Sequence, residues 1–249
     1  MMENNKNTFL RINKILAEAG ICSRREADRR IAEGRVTVNG EPAVPGMKAR
    51  AEDVIAVDGT VIRADALYGT KERVVLAVNK PVGVVCTSDT RWGDETLEDL
   101  VHYPVRLFSV GRLDKASEGL ILMTNDGELC NRILRGEGGH EKEYMVTLDR
   151  PVTNDFIKQM AAGVYLEELG VTTRPCSVEK AGRYVIRIIL TQGLNRQIRR
   201  MCLALGYRVR KLKRIRVMSI KLNDLKEGSW RQLTGEEMAS LLTQTGTRT

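Results

Sequence analysis

Asp114 stands in the string Val110-Gly111-Arg112-Leu113-Asp114-Lys115-Ala116-Ser117-Glu118-Gly119-Leu120, where an arginine and a carboxylate bracket one leucine. If this piece is extended, alternation sends Arg112 and Asp114 to the same side. An aspartate held beside arginines keeps its charge, as an attacking group or a base requires. Gly111 and Gly119 permit tight backbone at either end. A loop aspartate in a structural ion pair has the same spacing, so spacing alone leaves both roles open.

A second concentration of chemistry is cationic. Residues 193–222 contain ten Lys and Arg and no Asp or Glu, in a chain whose formal net charge is +8, so the remainder is slightly acidic. Charge gathered this way faces a polyanion; nucleic-acid phosphates are the obvious one, because each neutralised phosphate releases a counterion. A solvated cationic surface is the alternative. The cations are interleaved with Ile, Leu, Val and Met, which places them on folded elements. Ile198, Met201, Cys202 and Leu205 form the apolar stripe of a helix predicted over residues 195–205, with Arg196, Arg199 and Arg200 on another face. Asn195 caps that helix or touches RNA. Arg214 and Arg216 alternate with Ile215 and Val217 as on a half-buried strand, and the apolar phase then shifts to Met218, Ile220 and Leu222, which predicts a bulge. That strand would lie along an RNA groove.

The elements that must position these groups fall into two blocks. In the first, Ile12, Ile15, Leu16 and Ala19 follow helical spacing and Gly20 stops the helix. Ser23 and Glu26 form an S-x-x-E capping box that opens a second helix to about Glu33. A strand at Val36–Val38 enters a type I′ hairpin at Asn39-Gly40, and another at 54–57 closes the block. Residues 61–72 read as a polar linker. The apolar run from Val74, stopped by Pro81 and Gly83, predicts a buried strand. Further strands are expected at 143–148 and 184–190, and helices at 97–101, 127–134 and 153–162. Such a mixture without regular alternation gives an α+β fold.

No apolar stretch approaches the ~20 residues that span a bilayer, and the amino terminus lacks the apolar core of a signal peptide. Five cysteines without a CxxC pair, and only two histidines, predict reduced thiols in a cytoplasmic protein and no metal site. No phosphate loop or dinucleotide fingerprint calls for a cofactor.

Residues 11–59, with INKILAEAG, SRREADRRIAEGRVTVNG and a strand ending in VDG, resemble the S-four-type RNA-binding domain. Residues GRLDKASEGL look like the signature of the RsuA/RluA kind of pseudouridine synthase, and LAVNKPVG, HEKEYMV and GLNRQIRRM follow the same order. The resemblance is to the RsuA-type branch and covers nearly all of residues 10–233. It implies an RNA-binding domain at 8–60, a catalytic domain at 73–242 with a mixed, mainly antiparallel sheet, and a disordered tail at 243–249.

The implied reaction isomerises a uridine, flipped from a hairpin, to pseudouridine without metal or cofactor. Asp114 would be the catalytic carboxylate, Arg199 its ion-pair partner, and Tyr144 the surface on which uracil stacks; Tyr144 packed on a strand face is the competing reading. Arg112 would fill the space left by the flipped nucleotide or steer its phosphate. Leu113, Lys115, Asn195, Arg196, Gln197, Arg200, Arg214 and Arg216 would contact RNA, as would Arg24, Arg25 and Arg29 of the N-terminal module. Lys80 is expected to be structural. The implied partner is large-subunit ribosomal RNA, with a transfer RNA as a second target, bound by a monomer. A non-catalytic ribosome-assembly factor and an RNA hydrolase are the competing functions.

Overall fold

The computed structural model describes residues 9–50, 52–62, 72–87, 93–135 and 139–247. The chain divides into two compact units, Met1–Arg73 and Val74–Thr249. Most of the expected linker at 61–72 lies outside the described residues.

In the first unit a short strand, β1 (Leu10–Arg11), leads into α1 (Ile12–Glu18) and α2 (Arg24–Ala32), followed by β2 (Val36–Val38), β3 (Glu41–Pro42), β4 (Lys48–Ala49), β5 (Ile55–Val57) and β6 (Thr60–Val61). The apolar faces of both helices and the strand residues Val36, Val38, Ile55 and Val57 close one core. Only half of the capping box forms. Ser23 Oγ accepts from Glu26 N at 3.1 Å, but the Glu26 carboxylate turns to Arg29 and Arg30. Asn39 and Gly40 have φ of 53° and 87°, as a type I′ turn requires, and Val38 pairs Glu41 across it.

The second unit begins with β7 (Val75–Lys80), α3 (Leu97–Leu100), β8 (Phe108–Ser109), β9 (Glu118–Thr124), α4 (Gly127–Leu134) and β10 (Lys142–Leu148). It continues with α5 (Asn154–Ala162), a small hairpin of β11 (Tyr165–Leu166) and β12 (Val171–Thr172), then β13 (Ser177–Gly182) and β14 (Val185–Leu190). Helix α6 (Gln197–Ala204), β15 (Val209–Val217), β16 (Ile220–Lys221), β17 (Trp230–Gln232) and α7 (Gly235–Gln244) complete it. The sheet runs β13-β14-β10-β15-β9-β7-β17, with β16 on β15 and β8 on β9. Every pairing in it is antiparallel except β15 with β9. The fold is therefore a mixed, mainly antiparallel α+β sheet.

Helices α5 and α6 cover one part of the sheet through Phe156, Met160, Ile198 and Met201. In β9, Leu120 and Leu122 face α4 and α7, while Ile121 and Met123 face α3 and its flanking loops. A strand buried on both faces reads as an unbroken apolar run. The expected strand at Val74 forms β7 for this reason; β9 was missed because its start lies in the Asp114 string. The phase shift after Val217 is a two-residue hairpin turn, with Met218 at φ 53° and Val217 paired to Ile220. The bulge lies earlier: Ile215 is skipped between Glu143↔Arg216 and Tyr144↔Arg214.

The last helix runs past residue 242, and Thr245 is buried at its end, so the tail expected to be disordered at 243–249 is ordered at least to 247. Among the described residues no helix is long and apolar enough to cross a membrane.

The sheet surface away from α5 and α6 carries a ladder of charges. Glu143 accepts from Arg187 Nε and Arg216 Nε, both at 2.6 Å; Arg187 reaches on to Glu179 and Arg216 to Glu141. Burial pushes the Glu143 carboxyl up, but the two guanidiniums outweigh it and hold it below its usual range. A lowered folded value means stability that is fully present above the unfolded Glu value, about 4.3, and lost as pH falls through the folded one. Glu143→Gln is expected to cost about 2 kcal/mol at pH 7, with the difference from wild type shrinking below about pH 4; urea melts across pH check it.

Candidate active site

The Asp114 loop is clamped from two sides. On one, Lys80 is fully buried and its Nζ donates to Pro81 O at 2.8 Å and Val84 O at 2.7 Å. The turn so fixed presents Gly83 N to Lys115 O at 2.8 Å, and Cys86 Sγ meets both Leu113 N and Leu113 O at 3.4 Å. On the other side, Arg199 Nη2 donates to Ala116 O at 2.7 Å and Ser117 Oγ at 3.2 Å. A turn closed by Ser117 N to Asp114 O, 2.9 Å, holds the aspartate between the clamps.

Burial pushes the Lys80 ammonium below its ordinary range, yet its two carbonyl partners would be stranded without it. Lys80→Met is expected to cost about 1–3 kcal/mol and to lower turnover by loosening the Asp114 loop, read by thermal melts beside kinetics.

Arg199 Nε lies 4.0 Å from Asp114 Oδ2 and is buried without a hydrogen-bond partner. Burial pushes its guanidinium pKa down, and Asp114 opposes that shift. A buried orphan donor beside a carboxylate is an incomplete ion pair that a small closure would complete.

A cleft of about 460 Å³ opens over this loop, and Arg112, Leu113, Asp114, Tyr144, Asn195, Arg196, Gln197 and Arg214 all border it. Tyr144 comes from β10, and its ring packs between two core clusters. Arg112 and Arg196 are exposed and make no ion pair among the described residues. His140 and Lys142, also on the cleft, were missed, although they stand in the string that contains Tyr144.

Several expected RNA contacts are committed elsewhere. Arg216 belongs to the Glu143 ladder, because β10 puts a carboxylate directly beside it. Lys115 pairs with Asp94 at 2.5 Å. Arg200 holds Asn195 O at 3.0 Å and pairs with Glu168. Gln197 is buried and its Oε1 accepts from Leu194 N at 3.0 Å. Leu113 is 7% exposed and part of the core. Asn195 caps nothing: the helix starts at Gln197, and Arg196 precedes it at φ 50°. Arg214 is 4% exposed, so it lies within the wall of the cleft and not along an open groove. In the first unit Arg29 is paired with Glu26 at 2.8 Å, whereas Arg24 and Arg25 are exposed without a partner among the described residues. No group of His, Cys, Asp and Glu among the described residues could hold a metal ion.

Residues 74–204 match the family described as RNA pseudouridylate synthase, and residues 10–55 match the S4 domain. Over 235 residues the chain is 47% identical to the Dual-specificity RNA pseudouridine synthase RluF of Escherichia coli K12, covering 94% of this chain and 79% of that protein. It is 34% identical to the Ribosomal large subunit pseudouridine synthase B of Pseudomonas aeruginosa, covering 95% of this chain and 62% of that one. A crystal structure of a pseudouridylate synthase superposes with a TM-score of 0.69 at 32% identity, covering 93% of this chain and 99% of the other.

Proposed function

The chain belongs to the RNA pseudouridylate synthase family, and from that premise we propose that it isomerises a uridine in a hairpin of large-subunit ribosomal RNA, with a transfer RNA as second substrate. The names of its relatives support this choice: one is dual-specificity and another is a synthase of the ribosomal large subunit. The observation that carries the site is the orphaned Arg199 Nε, 4.0 Å from Asp114 in a cleft that Tyr144 also borders.

A uridine stacked in a hairpin must be extruded to reach Asp114. Tyr144 then stacks on the base, a contact of ~1–3 kcal/mol. Arg112, exposed and unpaired at the rim, fills the vacated stack or steers the phosphate. Arg199 closes on Asp114 once the substrate displaces water. Arg196, and Arg24 and Arg25 of the first unit, are free to neutralise phosphates. The enzyme works in the cytoplasm as a monomer, with no metal.

The test is tritium release from C5-labelled uridine in large-subunit and transfer RNA transcripts. Release from a ribosomal transcript, and a slower release from a transfer RNA, are expected. Tight binding without release from either would favour a non-catalytic assembly factor.

A further inference from the structure

Lys142 and Arg214 are cations that the roles above leave unused. Both border the cleft that holds Asp114, and among the described residues neither has a carboxylate within ion-pair reach. Arg214 Nε donates to Leu120 O at 2.6 Å, while its Nη2 is buried with no hydrogen-bond partner. Lys142 is half-buried and spends one donor on His140 O, at 3.3 Å. Native proteins rarely leave a buried donor unsatisfied, and an uncompensated buried charge is costlier still. Such a pair persists where a ligand supplies the missing acceptor. Burial, and then the neighbouring Arg214 charge, pushes the Lys142 ammonium below its ordinary range, which marks the same shortage of negative charge.

The strand register says which acceptor is missing. Tyr144 sits opposite Arg214 across the β10–β15 ladder, so the two side chains are neighbours on one face. Lys142 precedes Tyr144 by two residues and shares that face. A pyrimidine stacked on Tyr144 therefore turns its edge toward both cations. Guanidinium and ammonium groups donate and cannot accept. At position 4 they fit the carbonyl of uracil and reject the amino group of cytosine, whereas at position 2 both bases present a carbonyl.

We propose that Arg214, assisted by Lys142, donates to a uracil carbonyl oxygen and takes up the charge that develops as the base leaves the ribose; with O4 as that oxygen, the same donors also select uracil over cytosine. This rests on the synthase reading above. When the N1–C1′ bond breaks, its electron pair stays on the base, spread over N1 and the carbonyl oxygens. C5 then bonds to C1′, the C5 proton is lost and N1 gains one, so the atoms balance with no further reactant. Fixed donors aimed at an oxygen that becomes more negative stabilise the transition state more than the bound uridine.

The test crosses Arg214→Met and Lys142→Met with RNA carrying 4-thiouridine or 2-thiouridine at the target, since sulfur is the weaker acceptor. For Arg214→Met, kcat is expected to fall on the order of 10–100-fold, with RNA affinity within about twofold of wild type. One of the two thio substitutions should slow the wild type and add nothing further in the Arg214→Met background. Defects that simply multiply at both carbonyls, or a loss confined to KM, would overturn the proposal. Lys142→Met, which removes a single long hydrogen bond, carries the same comparison should Arg214→Met melt at assay temperature. Wild-type protein that releases no tritium from any uridine RNA would instead overturn the synthase reading, a result distinct from additive thio effects.

Discussion

Asp114→Asn is expected to lower kcat by roughly 10⁴-fold or more in single-turnover tritium release, as loss of an essential reacting group does. RNA binding in a filter assay should hold within about twofold, because removing one negative charge from a basic cleft costs no phosphate contact. The fold should hardly notice. The Asp114 carboxylate is 35% exposed and 4.0 Å from Arg199 Nε, and an ion pair that long and that wet stabilises by at most ~1 kcal/mol. The melting temperature should therefore stay within about 4 °C of wild type. The opposite pattern, a large drop in melting temperature with substantial activity kept, would return Asp114 to the structural ion pair its spacing also permits.

Gly119→Ala should break the fold instead. A Cβ at Gly119 would sit 2.2 Å from Arg214 O and 2.8 Å from Arg214 N, in backbone held at φ +102°. Both obstacles are main chain of the parallel β9–β15 crossing, so no rotamer change relieves them. The strands must part there, and that junction joins β7 and β9 to the rest of the sheet. The expected loss is on the order of 4 kcal/mol or more, at the extreme of single substitutions, or roughly 10 °C in melting temperature. Activity should fall with it, since Arg214 loses its place. Gly206→Ala is the control: its φ is +79° but nothing lies within 4 Å, so it carries backbone strain alone, ~1–3 kcal/mol. Equal losses at the two positions would show that the close approach of strands contributes nothing.

Local chemistry was legible from the chain. The stop at Gly20, the Ser23 cap and the Asn39-Gly40 turn are decided by residues within one turn of each other, and neighbours in sequence are enough to satisfy them. The apolar run of β7 was equally plain, whereas the same signal in β9 was obscured because the strand opens with Glu118 and Gly119. Asp114 is a different case. Its spacing left a structural ion pair open, and the order of four strings, compared with a known family, singled it out. The N-terminal module and the α+β class followed from order and periodicity in the same way.

Tertiary structure decided the fate of the individual cations. Arg214 and Arg216 are two residues apart and looked alike, as alternating charges on one strand. Once β15 lies between β9 and β10, Arg214 meets Leu120 O, 94 residues away, while Arg216 meets Glu143, 73 residues away. One becomes a buried donor on the cleft and the other a member of a surface ladder. Residue type and spacing determine that a side chain is charged and roughly where it points. Whether that charge is desolvated, paired or left waiting for a ligand depends on groups brought beside it from distant strands, and on the bulge at Ile215 that sets their register.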